Sequence, residues 1–112
     1  MLDEIKYGYE EHEVMFKGHK YLISTKGGSF YGYADVKDNV CTKFELDHLT
    51  MNNSYQREDY GVWVPFNEDM FPDLNEIDVI EIKNKLDNLM ASYLENRVLK
   101  EIIEWLRNER RF

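Results

Sequence analysis

The stretch STKGGSFYGYADV, residues 24–36, sets two glycines behind a lysine and then three aromatics within four positions. A phosphate-cradling loop of the GxxxxGK[ST] kind needs its lysine after the glycines and a helix next, so that amides and helix dipole converge on the anion. Here Lys26 comes first, and SFYGYADV alternates as a strand does. Two adjacent glycines instead supply the positive φ that a primed two-residue hairpin turn demands. The expectation is a hairpin turn at Gly27-Gly28, with Lys26 opposite Ser29.

From that turn the register extends outward. A second two-residue turn at Lys17-Gly18 sets Phe16 opposite His19 and Val14 opposite Tyr21. The Gly27-Gly28 turn then brings Ile23 to Gly32, Tyr21 to Ala34, and Lys20 to Asp35 as a favourable cross-strand pair. A three-residue connection, Lys37-Asp38-Asn39 with Asn39 left-handed, brings Val36 to Val40 and Gly32 to Phe44. Alternation places Val14, Phe16, Tyr21, Ile23, Phe30, Ala34, Val36, Val40, Phe44 and Leu46 on one face. Gly32, inside a strand on that face, makes room for a bulky neighbour. Residues 47–59, DHLTMNNSYQRED, read as a polar connection. YGVWVPF, residues 60–66, reads as a fifth strand that Pro65 confines to an edge or strand end.

The remainder reads as helix. Asn75 fits an N-cap, with Glu76 and Asp78 suited to the first turn. From Ile82 every fourth residue is apolar: Leu86, Met90, Leu94, Val98, Ile102 and Leu106. Val79, Leu89, Tyr93, Leu99 and Ile103 widen the stripe, and Arg107, Arg110 and Arg111 complement the dipole at its far end. A straight helix over 76–108 measures roughly 50 Å, whereas a compact domain of this length is roughly 35 Å across. The helix must therefore break, around Ala91-Ser92 or Asn96, or protrude and bury its excess against another molecule. The fold class expected is α+β in a single domain spanning 1–112. A four- to five-stranded antiparallel meander (β-rich 13–66) is followed by one long helix (75–108) packed on one sheet face.

Fourteen basic against twenty-two acidic residues give a net charge of −8. That field repels phosphate backbones and anionic lipid, which argues against direct nucleic-acid binding and against a membrane partner. The lone Cys41 forms no intramolecular disulfide and frames no metal site. Residues 1–4, MLDE, are acidic where a signal peptide would be basic and then apolar, so a cytoplasmic location is expected. In EEHE, residues 10–13, His12 lies four strand residues from the level of His19, roughly 13 Å and too far to share a metal. Asp47-His48 has no assignable nucleophile. Glu68, Asp69, Asp73, Glu76, Asp78 and Glu81 gather at the helix start without a DxDxDG calcium pattern. Neither cofactor nor metal is called for, and no enzymatic activity is expected.

The second sheet face carries Met15, Leu22, Tyr31, Tyr33, Cys41 and Trp63. Either the N-terminal IKYGYEEH folds back over it or it is a contact surface. The function expected is a non-enzymatic acidic protein-binding module that occupies a partner's surface. An inhibitor, an immunity or antitoxin-like protein, or a decoy of a nucleic-acid-binding protein would each have this profile. Tyr31, Tyr33 and Trp63 are the expected anchors, and Glu10, Glu11, Glu13, Asp73 and Glu76 the residues that steer a basic partner. The alternatives are a structural homo-oligomer built on the long helix, and a small metal-dependent or acid–base hydrolase using His12, His48 and nearby carboxylates.

Overall fold

The computed structural model describes residues 4–38, 40–66 and 71–109. Asn39, Glu68, Asp69, Arg110 and Arg111, to which expectations were attached, lie outside the described residues. Strands β1 (Glu4–Phe16), β2 (His19–Lys37), β3 (Val40–Asp59) and β4 (Val62–Pro65) form an antiparallel meander in sequence order, and helix α1 (Glu76–Glu109) packs against it. The α+β class is as expected. The strand lengths are not.

Lys17-Gly18 turns as the sequence implies, both residues at positive φ (48° and 84°), with Phe16 opposite His19 and Val14 opposite Tyr21. Gly27-Gly28, by contrast, is no turn. The chain runs straight through it, and β2 continues for 19 residues. Gly27 does take positive φ, at 115°. It spends that freedom on a bulge, where Lys26 and Gly27 together oppose only Asn52 of β3. A bulge and a primed turn need the same backbone conformation, and Gly-Gly cannot distinguish them. Tyr21 therefore faces Arg57 rather than Ala34, and Ile23 faces Tyr55 rather than Gly32.

Bulging also flips the faces. Before it Tyr21, Ile23 and Thr25 point into the core, and after it Phe30 and Ala34 do. β1 makes the matching switch at Gly8, between Tyr7 and the helix-facing His12 and Val14. Gly28 gives the Tyr7 ring its seat. A Cβ there would collide with Tyr7 and with the Thr50 carbonyl, to which the Tyr7 hydroxyl donates at 2.7 Å. Gly32 yields to the Glu45 backbone carbonyl across a further bulge, not to a bulky side chain.

The next expectations shift by one residue. Lys37, not Val36, pairs with Val40, and a bulge at Asp35/Val36 then sets Val36 opposite Cys41 and Ala34 opposite Phe44. Cys41 consequently packs against the core, while Val40 is 59% exposed and Leu46 also faces solvent. The supposed polar connection, residues 47–59, is the second half of β3. Tyr60-Gly61 (φ 51° and 78°) is the primed turn into β4, so the expected fifth strand is the fourth and starts at Val62. The N-terminal segment does not fold over a face. From Glu4 it is β1 itself, paired in register with β2, so the sheet begins nine residues before the expected Glu13.

α1 begins as its sequence implies, with the Asp78 amide donating to Asn75 Oδ1 at 2.8 Å. It is one continuous helix of 34 residues, about 51 Å long. It neither breaks nor protrudes, because β2 and β3 are equally elongated: a strand of 20 residues reaches up to about 65 Å. The molecule measures 59 × 25 × 21 Å. Ile82, Leu86, Met90, Leu94, Val98 and Ile102 are all buried against the sheet. Residues spaced by four advance about 40° round a helix of about 100° per residue, so from Ile82 to Ile102 the buried line winds about 200°. The sheet accordingly curls about the helix, as long twisted ribbons do.

Candidate functional site

α1 covers one face of the sheet. On the other, Leu22 (9% exposed) and Ser24 (5%) are buried although no described helix lies over them. Their shielding comes from the long side chains around them: Tyr9, Glu11 and Glu13 of β1, Gln56 of β3 and Trp63 of β4. The register sets Glu11 beside Ser24, and Glu13 beside Leu22 and then Gln56. Trp63, two residues before the Pro65 that pairs with Gln56, closes the far wall. The result is an open groove of about 440 Å³, with Tyr9, Glu11 and Glu13 on one wall, Leu22 and Ser24 as floor, and Trp63 opposite. The Tyr9 hydroxyl donates to Glu11 Oε2 at 2.7 Å and lies 3.4 Å from Ser24 Oγ, which fixes the ring. His12 reaches the groove from the strand edge. Its ring rests against Tyr93 of α1 (centroids 4.4 Å), and its Nε2 is buried without a hydrogen-bond partner.

Of the residues expected to bind a partner, the groove gathers Trp63, Glu11 and Glu13. Tyr31 and Tyr33 are exposed but belong to another place. With no turn at Gly27-Gly28 they lie nine or more residues along β2 from Leu22, about 30 Å away. The Tyr33 hydroxyl donates to the Glu45 carboxylate directly across the ladder, which raises the phenol's pKa and lowers that of Glu45, with Lys43 Nζ 2.9 Å from the same carboxylate. Glu10 points to the helix side and pairs with Arg97. Asp73 takes both its oxygens to Arg57 Nη1, at 3.0 and 3.2 Å. Glu76 is exposed at the first helical position.

Arg57 is an element of structure. It is 4% exposed, pairs with Asp59 and Asp73, and stacks over Phe71 at 4.5 Å and Tyr21 at 5.8 Å. His19 lies on the same guanidinium, 3.1 Å from Nη2 to the ring. Two carboxylates and two aromatic rings thus hold one planar cation. Beneath α1, the Tyr55 hydroxyl donates to Asp87 at 2.6 Å. Burial first, and then this bond to a carboxylate, pushes the phenol up to about 12. At the helix start Lys17 donates to both oxygens of Asp78 at 3.0 and 3.1 Å. That bond, with help from the Asn75 amide, holds the Asp78 carboxyl below its usual range.

Among the described residues no group of three or more His, Cys, Asp or Glu stands at metal-holding geometry, and none of their helices is long and apolar enough to cross a membrane. No family model, curated protein or solved structure matches the chain. Sequence reasoning missed Tyr9, Ser24 and Gln56 as parts of the groove. A period-two signal for β3 was present: Leu49, Met51, Tyr55 and Arg57 alternate with His48, Thr50, Ser54 and Gln56. Extending β3 forward through that run, and carrying β2 unbroken through Gly27-Gly28, places Gln56 beside Leu22.

Proposed function

We propose that the chain is a small acidic protein-binding module that occupies the surface of a basic partner through its helix-free face, and that it is not an enzyme. The observation carrying this is the groove: Tyr9 (59% exposed) and Trp63 (36%) stand out to solvent beside Glu11 and Glu13, on the face α1 leaves uncovered. Exposed aromatics are the side chains that anchor interfaces, and carboxylates beside them select and steer a cationic partner. The net charge of −8 acts in the same direction at long range. An inhibitor, an immunity-type protein or a decoy would each use such a face. The homo-oligomer alternative draws less support, since Ile82 to Ile102 of the stripe are buried on the chain's own sheet, while Leu89, Tyr93 and Trp105 are apolar helix residues left exposed for it.

The test is capture from cytosolic extract on immobilised protein, comparing the native chain with Trp63→Ala and with the pair Tyr31→Ala/Tyr33→Ala. The proposal expects specific proteins on the native chain, lost with Trp63→Ala and with circular dichroism unchanged. Loss confined to the tyrosine pair moves the site to the distal ribbon. Capture equal on all three overturns the role of this face.

A further inference from the structure

We propose that the groove is a guanidinium site, taking an arginine side chain presented by an extended basic segment of the partner; this rests on the protein-binding reading above and names its chemistry. The chain itself shows what a guanidinium is held by: Arg57 lies over the Phe71 and Tyr21 rings and pairs with Asp59 and Asp73. The groove carries the same kinds of side chain on the outer face, Tyr9 at one end, Trp63 at the other and Glu11 and Glu13 between them, and among the described residues no Lys or Arg lines it.

Tyr9 is held in place before any ligand arrives, by its bonds to Glu11 and toward Ser24, so little side-chain freedom remains to be lost on binding. The buried floor of Leu22 and Ser24 excludes water beneath the cation and strengthens its attraction to the carboxylates. A planar guanidinium can stack on Trp63 and present its edge to Glu13 at once, whereas an ammonium is a point charge that keeps its water. The site therefore prefers arginine to lysine.

The probes are a capped oligo-arginine peptide and an oligo-lysine peptide of equal length, titrated at physiological salt. A Trp105→Phe background leaves Trp63 as the only tryptophan, so its emission reports the groove directly. The expected result is a Trp63 signal that saturates with the arginine peptide and requires several-fold more of the lysine peptide. Glu11→Gln/Glu13→Gln should weaken binding by about tenfold or more, the loss of charge-assisted bonds. The control pair Glu95→Gln/Glu104→Gln removes equal charge at exposed positions of α1 and should change it less than about twofold at that salt. Equal losses in the two pairs, equal affinity for both peptides, or no Trp63 response each overturn the site; circular dichroism verifies that every variant folds. Proteins captured from extract by a chain that fails these titrations would leave the binding-module reading standing without the arginine site. Saturable arginine binding without protein capture would do the reverse.

Discussion

At Gly28 a single hydrogen in place of a methyl decides whether two strands can coexist. Tyr7 crosses the position to reach the Thr50 carbonyl, and a Cβ would meet both. Gly28→Ala is expected to destabilise by about 3 kcal/mol, the upper part of the usual overpacking range, because the obstacle is backbone and cannot rotate away. A Cβ at Gly8 would meet nothing within 4 Å, and φ there is not positive, so Gly8→Ala should change stability by less than about 0.5 kcal/mol in urea unfolding. Equal effects would show that Tyr7 does not lie over Gly28. Tyr55 supplies a second test at this scale. Its phenol ionises near 12 in the folded chain against 10.0 ordinarily. Its contribution to stability is complete below pH 10 and is lost as pH rises toward 12. An ultraviolet titration of the native chain minus Tyr55→Phe should isolate the late-titrating phenol, and Asp87→Asn should bring it down part of the way.

Among the elements, α1 was legible and the strands were only half so. A four-residue apolar spacing has one structural meaning, and every member from Ile82 to Ile102 is buried. Leu86→Ala should cost about 2–5 kcal/mol, while Trp105→Ala, at a half-exposed position, should cost under about 1 kcal/mol; denaturant midpoints decide. The cap was equally readable, since Asn75 accepts from Asp78 as the sequence implied. Strand ends were not, because Gly27 meets the needs of a bulge and of a turn alike, and because Asn52, Asn53 and Ser54 sound like loop residues while occupying a ladder. That one ambiguity displaced Tyr31 and Tyr33 from Trp63, and with it dispersed the site expected from sequence. The turn between β1 and β2 also carries a pH dependence. Asp78 has a lowered pKa, so the Lys17 tie stabilises above the ordinary carboxylate value of about 4 and fades as pH falls through the lowered one. Lys17→Met should flatten the acid limb of a midpoint-against-pH curve, and an unchanged limb would assign that limb to other carboxylates.

As a whole the molecule is a rod. Small-angle scattering should give a radius of gyration near 17.5 Å, not the roughly 13 Å of a compact domain of this length. Light scattering on the same sample should give 13.5 kDa; a doubled mass would favour the homo-oligomer. The winding line of buried residues has a consequence for uniqueness. Advancing α1 by four residues, about 6 Å with a rotation of about 40°, sets each apolar side chain in the seat of its neighbour. Leu86 would lie where Ile82 was, Met90 where Leu86 was, and the oily contact would hardly notice. The core alone therefore tolerates a screw-like slip. What forbids it is polar and discrete: Lys17 to Asp78, Tyr55 to Asp87 and Glu10 to Arg97, spread along the rod like pins through a threaded bolt. Each is modest in energy, yet each is satisfied at one setting only. Removing all three, with Lys17→Met, Asp87→Asn and Arg97→Met, should leave a helical protein whose α1 amide resonances split between two settings, and a single sharp set would show that the side-chain shapes suffice.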